Sequence, residues 1–164
     1  MARVLVPKPL GVLMVCLGNI CRSPMAEGAL RKRLQEAGLG EKVRVDSAAT
    51  GRSHVGHAPD ERAIACAARH GVDISEQRAR ALALEDFSEF DVILCADRTI
   101  LHDARIRKPR IAHADVELLM EWSGLGKKDV PDPYYGNPRD FERAWKLVDA
   151  AASGAMERIR QGRF

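Results

Sequence analysis

Long hydrophobic runs are missing from this sequence of 164 residues. A run such as Val12 to Leu17 falls far short of the ~20 residues a membrane-spanning helix needs, so no membrane insertion is expected. A secretory signal is missing too. Arg3 and Lys8 stand near the start, but Pro7 and Pro9 interrupt the segment and no small-residue cleavage site follows, so the expected location is cytoplasmic. Nor is there an excess of one charge. Lys and Arg number 26 against 23 Asp and Glu, and a net charge of +3 is too mild to indicate nucleic-acid binding, although it leaves room for an anionic ligand. Cysteines are few: Cys16, Cys21, Cys66 and Cys95 form no C-x-x-C pair and no Cys/His spacing typical of zinc. Without a signal peptide they are not expected to build a disulfide framework, which leaves at least one free for chemistry. Internal repeats, low-complexity tracts and dividing linkers are absent as well, so the chain reads as one domain over 1–164 with 1–9 as a flexible N-terminal extension.

What is present is an ordinary globular composition, 46% hydrophobic and 30% charged. Gly11 to Cys16 is continuously apolar, as a buried parallel strand would be. Ser23 and Pro24 suit the cap and first position of a helix that continues through Leu30, Leu34 and Ala37, and Gly38 and Gly40 stop it. Val43 to Asp46 alternates as a second strand. A loop rich in Gly, Ser and His follows from Ala49 to Pro59, then a helix from Asp60 to His70 that Gly71 ends. Phe90 to Ala96 reads as another buried strand, Val116 to Met120 as a short helix, and Ser123 to Pro138 as a loop. In the last helix Phe141, Ala144, Trp145, Val148, Ala152, Ala155, Met156 and Ile159 share one face, which is core packing. Strands alternating with helices imply a parallel sheet covered on both faces, with ligands at the carboxyl ends of the strands.

The first strand ends in Cys16-Leu17-Gly18-Asn19-Ile20-Cys21-Arg22-Ser23-Pro24, with five residues between Cys16 and Arg22. A loop this short, closing onto a helix, points several backbone N–H groups inward and makes an oxyanion nest at a helix N-terminus. Gly18 and Asn19 tolerate the positive φ a tight cradle needs. The Arg22 guanidinium matches two phosphate oxygens. Cys16 lies beneath the same cradle, where the helix dipole and the guanidinium favour its thiolate, the form that attacks phosphorus. Releasing an alkoxide or phenolate calls for a carboxylic acid held protonated by burial or nearby negative charge. Asp132-Pro133 reads equally as a turn initiator or as that acid, with Asp129 as a neighbour that competes for the role.

This loop resembles that of the low-molecular-weight protein tyrosine phosphatases. The likeness extends to Val45-Asp46-Ser47-Ala48-Ala49-Thr50-Gly51, to Val55-Gly56-His57-Ala58-Pro59-Asp60, to Phe90–Leu94 and to Asp132-Pro133-Tyr134-Tyr135-Gly136-Asn137, in the family's order. It implies an α/β fold: a single domain with a central four-stranded parallel sheet flanked by helices, and the phosphate-binding loop after the first strand. It also implies a phosphocysteine mechanism with Cys16 as nucleophile, Arg22 as phosphate clamp and Asp132 as general acid and base. Leu17, Gly18, Asn19, Ile20 and Cys21 would form the loop. Ser23 would hydrogen-bond the Cys16 sulfur, and Ser47 would brace Asn19. Cys21 would form a reversible disulfide with Cys16 under oxidant. Ser53, Tyr134 and Tyr135 would lie at the substrate rim, with the tyrosines also open to readings as packing or modification targets. No metal and no cofactor are implied, because Arg22 and the loop amides carry the phosphoryl charge. The implied partner is a phosphotyrosine-bearing protein, and the expected state is a monomer.

Three departures from the family pattern stand out. Ser53 replaces a frequent Trp or Tyr, Glu76 a frequent His that braces Asn19, and Ile100 a frequent Asn. Two rival activities share the fold. An arsenate reductase needs further cysteines in relay, and Cys66 and Cys95 fall in a helical pattern and a buried strand. A phosphoarginine phosphatase carries Thr where this chain has the apolar Ile20. A non-catalytic phosphate-binding module would lack Cys16 or Asp132, and both are present. His54 and His57 read as loop histidines, and Arg31, Lys32 and Arg33 as a solvated helix face.

Overall fold

A computed structural model describes residues 8–164; the extension read over 1–9 therefore lies largely outside the described residues, and Lys8 and Pro9 are exposed. Among the described residues ten elements follow in order: β1 (Leu10–Cys16), α1 (Arg22–Glu36), β2 (Val43–Ala49), α2 (Glu61–Arg69), α3 (Asp86–Glu89), β3 (Val92–Cys95), α4 (Arg98–Arg107), β4 (Asp115–Leu118), α5 (Leu119–Trp122) and α6 (Pro138–Arg160). The four strands form one parallel sheet in the order β2-β1-β3-β4.

The apolar run of β1 is buried from Gly11 to Cys16 because the strand lies inside the sheet with both faces covered. Its side chains alternate between two cores. Val12, Met14 and Cys16 join the larger one with residues of α1, α2, α5 and α6, whereas Leu13 and Val15 join the smaller one around Phe87, Phe90, Ile100 and Ala104. α6 lays Phe141, Ala144, Trp145, Val148, Ala152, Ala155 and Ile159 against the larger core, the stripe expected from the sequence. Asn137 and Asp140 form a reciprocal capping box at its start. Asp60 caps α2, and Gly38 and Gly71 at positive φ follow α1 and α2.

Three local expectations change. The segment Val116–Met120 is not one helix. Val116 and Leu118 alternate inward as β4 pairs with β3, and only from Leu119 does the chain turn helical. A run of apolar residues this short carries both periods, and pairing with a neighbouring strand decides between them. The helix α4 has no matching expectation. It buries only Ile100 and Ala104, too few to mark a face, and its start is set by Asp97, which accepts the Ile100 N–H. Finally, α1 starts at Arg22, so Pro24 sits at its third position and Ser23 is not its cap; no side chain caps this helix.

Among the described residues, no helix is long and apolar enough to cross a membrane. The neighbours β1 and β3 connect to opposite sides of the strand order, so their carboxyl ends form a topological switch point. Cys16 ends one of these strands and Cys95 the other.

Candidate active site

The chain leaves β1 at Cys16 and re-enters regular structure at Arg22, so the whole loop must turn within five residues. Asn19 makes the turn possible, with φ at 56°, the left-handed region that Asn adopts more readily than most residues. Gly18 is not at positive φ, contrary to expectation. Its missing side chain serves a close approach instead: a Cβ there would lie 3.0 Å from the His54 imidazole.

Cys16 is buried, and its Sγ accepts the Asn19 N–H at 3.3 Å and lies 3.0 Å from the Ser23 hydroxyl. That contact explains why Ser23 does not cap its helix: its hydroxyl faces the sulfur. The Asn19 amide donates to Ser23 at 2.8 Å and to Ser47 at 2.9 Å, and its carbonyl accepts the Arg80 backbone N–H. Ser47 in turn donates to Glu27 at 2.7 Å. Burial raises the Glu27 carboxyl above its ordinary range, against the Ser47 hydrogen bond and the Arg31 charge. The exposed Glu76 takes no part in this brace. Arg80 supplies the contact to Asn19, and the neighbouring Gln77 donates to the Pro24 carbonyl.

Among the described residues, the backbone N–H groups of Gly18, Ile20, Cys21 and Arg22 meet no protein acceptor. Together with the uncapped N-terminus of α1 they leave free backbone donors among the cavity-lining residues, the groups an oxyanion requires. The Arg22 side chain, itself buried, is held by Asp97 at 2.6 Å and by the Val130 carbonyl at 3.0 Å, and its other amino group lies 3.8 Å from Asp132. Burial works against its charge, but the Cys16 sulfur and the Asp97 and Asp132 carboxylates outweigh that and hold its proton more firmly. Asp97 is a site residue that sequence reasoning did not assign. Its signal was its position directly after the third strand, at the switch point.

Cys16, Leu17, Gly18, Ile20, Cys21, Arg22, Ser53, Asp132, Tyr134 and Tyr135 all line one cavity of about 210 Å³, so the expected catalytic, loop and rim residues do converge. Asn19, Ser23 and Ser47 stand behind it as the brace. His54, read as an ordinary loop histidine, also lines the cavity, its ring centroid 6.0 Å from that of Tyr134. Tyr134 and Tyr135 meet edge to face at 4.8 Å. Asp132 accepts the Tyr134 N–H at 3.1 Å, so it forms a turn and also faces the cavity. Asp129 is engaged elsewhere, by the Arg98 guanidinium and backbone, which hold its carboxyl below its ordinary range. Cys21 is a free thiol at the end of the loop; burial and then Asp60 push it up, so it stays protonated. Cys66 and Cys95 do not reach the cavity. Ile100, the third departure, is buried in the smaller core.

The Cys16 sulfur, the clamped Arg22 guanidinium and the Asp132 carboxyl thus face one cavity at the carboxyl end of β1. Residues 11–163 match the family described as low molecular weight phosphotyrosine protein phosphatase. The chain belongs to that family. A human low molecular weight phosphotyrosine protein phosphatase is 43% identical over 149 residues, which cover 90% of this chain and 94% of the human one. A protein tyrosine phosphatase from Entamoeba histolytica, solved with Hepes in its active site, superposes with a TM-score of 0.89 at 31% identity, covering 94% of this chain and 99% of that one. A Drosophila arginine phosphatase shares the fold at a TM-score of 0.81 and 28% identity, covering 92% of this chain and 96% of that one.

Proposed function

We propose that this protein tyrosine phosphatase hydrolyses phosphotyrosine monoesters on protein substrates, with Cys16, Arg22 and Asp132 as its catalytic residues. The Cys16 thiolate attacks phosphorus in line with the ester oxygen. The S–P bond forms as the P–O bond breaks, and Asp132 gives its proton to the departing phenolate. Water then attacks the phosphocysteine, Asp132 takes up the water's proton, and the thiolate leaves. Arg22 and the loop amides hold the three equatorial oxygens in both steps. The Ser23 hydroxyl stabilises the departing thiolate, and Asn19 and Ser47 hold the loop in shape. The observation that carries this reading is the pair of contacts on Cys16 Sγ, from the Asn19 N–H at 3.3 Å and the Ser23 hydroxyl at 3.0 Å. Both stabilise a sulfur anion beneath an oxyanion nest.

Leu17, Ile20 and Tyr134 make the cavity wall apolar enough for an aryl ring, and Ser53 leaves one edge of the rim without an aromatic. Under oxidant, Cys21 would close a disulfide on Cys16 and spare it from over-oxidation. Phosphoarginine is the second reading, favoured by the similarity to the Drosophila arginine phosphatase. Ile20 weighs against it, since an apolar side chain at the cavity offers a guanidinium no acceptor. Arsenate reduction is disfavoured because Cys66 and Cys95 lie away from the cavity and only Cys21 could act in relay.

The test is steady-state hydrolysis of phosphotyrosine and phosphoarginine peptides, side by side, across pH, with Cys16→Ser as control. We expect phosphotyrosine turnover that is lost in Cys16→Ser, with a bell-shaped profile because thiolate and protonated acid must coexist. Asp132→Asn should slow substrates with poor leaving groups most. Turnover that survives Cys16→Ser would remove the nucleophile from this scheme, and faster turnover of phosphoarginine would replace the substrate.

A further inference from the structure

On the side of the molecule where α2 packs against α6, three side chains of metal-ligand type converge. Cys66 lies on α2, His70 caps its end four residues later on the same face, and Glu142 comes from α6. Cys66 Sγ is 3.6 Å from Glu142 Oε1, His70 Nε2 is 2.7 Å from Glu142 Oε2, and the three donor atoms all lie within 4.8 Å of one another. A tetrahedral zinc ion, with bonds of about 2.3 Å to sulfur and about 2.0–2.1 Å to nitrogen and oxygen, separates such donors by roughly 3.3–3.6 Å. Cys66 Sγ and Glu142 Oε1 already lie that far apart, whereas His70 meets the other carboxylate oxygen, Oε2. To share one ion the carboxylate has to turn or chelate through both oxygens, and the His70–Oε2 contact has to open by roughly 0.6 Å.

Two of the three donors have a further partner that fixes their orientation, as ligands of a metal site do. The His70 ring stacks on Trp145 with centroids 5.1 Å apart and an interplanar angle of 11°. Arg69 donates to Glu142 Oε1 through Nε at 2.9 Å and lies 2.7 Å from it through its amino group. Without an ion, burial and the Glu142 charge push the Cys66 thiol up to about 11. The same carboxylate that opposes a bare thiolate attracts a cation, which would take the place of the thiol proton. One thiolate and one carboxylate neutralise a divalent ion. Glu142 and Arg69 also border a surface groove with Pro138, Arg139, Arg143 and Lys146, so the carboxylate end of the cluster is open to solvent. The mixture of sulfur, nitrogen and oxygen donors suits zinc and cobalt rather than magnesium or calcium.

We propose that Cys66, His70 and Glu142 bind one divalent metal ion of the zinc class, apart from the phosphate cradle, and so staple α2 to α6. The staple acts on the element whose Arg62 holds the Tyr134 carbonyl at 3.0 Å, at the wall of the cavity. It does not depend on which phosphoester the cavity accepts.

The test is titration of the full chain with cobalt, carried on the Cys16→Ser background so that the cleft thiolate does not compete. One equivalent of cobalt should produce a thiolate-to-cobalt charge-transfer band that zinc displaces. Adding Cys66→Ser should abolish the band, and adding His70→Gln, a change at an exposed position, should weaken binding at least tenfold. Zinc should raise the unfolding temperature of the Cys16→Ser chain, raise it less after His70→Gln is added, and leave it unchanged after Cys66→Ser is added. No band on the Cys16→Ser background, a band that persists after Cys66→Ser, or unchanged affinity in His70→Gln would each overturn the site. Circular dichroism of the double variants separates loss of binding from loss of fold.

Discussion

Ser23 shows how much one hydroxyl can carry. From the sequence it reads as a helix cap, a role that fits its position before Pro24. In the structure it faces Cys16 Sγ at 3.0 Å and accepts from Asn19 at 2.8 Å. Hydrogen bonds to charged groups contribute about 1.5–3 kcal/mol, so Ser23→Ala should lower kcat roughly tenfold to a hundredfold. The loss should fall on the step in which the thiolate leaves. Rapid-quench kinetics would then find phosphoenzyme accumulating before a slow steady state. Equal slowing of both steps would contradict the leaving-group role. Asp132 and Asp129 make a similar point. Both precede apolar or Pro residues in one loop, and only the tertiary contacts separate them: Arg98 engages Asp129, whereas Asp132 faces the cavity near Arg22.

At the scale of elements, α1 is tied to β2 through the buried Glu27, whose carboxyl accepts from Ser47. Burial raises that carboxyl above its ordinary value of 4.5. The folded chain thus binds this proton more tightly than the unfolded chain. The stabilisation is complete below pH 4.5 and is lost as pH rises through the folded-state value. Glu27→Gln keeps an acceptor for Ser47 and removes the titration. Urea unfolding should therefore show the wild-type chain losing ground to the variant as pH rises from 4.5 towards neutrality. A difference independent of pH would mean that Glu27 does not hold a proton in the fold. The contact between α6 and the turn after α5 is tighter still. A Cβ on Gly154 would lie 2.0 Å from the Ser123 carbonyl oxygen, a clash with backbone that no rotamer relieves. Gly154→Ala should cost about 1–3 kcal/mol, read as a lower urea midpoint with an unchanged slope.

For the molecule as a whole, the switch point of the sheet is where separate segments meet. Arg22 follows β1, Asp97 follows β3, and Val130 and Asp132 arrive from the loop before α6. Asp97 serves twice, pairing with Arg22 at 2.6 Å and capping α4 at 2.8 Å. Asp97→Asn can keep the cap but leaves the buried guanidinium without its nearest counter-charge, with Asp132 at 3.8 Å the remaining carboxylate. The loss should approach about 3 kcal/mol, the low end for a broken buried pair. Inorganic phosphate should bind the variant more weakly as Arg22 loses its anchor. Thermal unfolding and competitive inhibition by phosphate, measured together, check both outcomes. A change in stability with unaltered phosphate affinity would make Asp97 a structural residue only.

Much of this protein was legible in its sequence because the informative signals are local. The apolar run of β1, the Cys16-to-Arg22 loop, the Asp60 cap and the amphipathic stripe of α6 each lie within one segment, and their spacing is set by the geometry of a strand, a turn or a helix. The α/β class and the loop followed from that spacing, and the resemblance supplied the partners of Cys16. What the sequence could not decide are contacts between segments far apart in the chain. β4 became a strand because β3 offered it a partner. Gly18 is small because His54 lies over it, and Asn19 is held by Arg80 rather than by Glu76. Cys66, His70 and Glu142 stand 76 positions apart at the extremes and meet only because α2 and α6 pack together. Local periodicity is a property of the chain, but proximity across such distances is a property of the fold, and only the tertiary structure sets it.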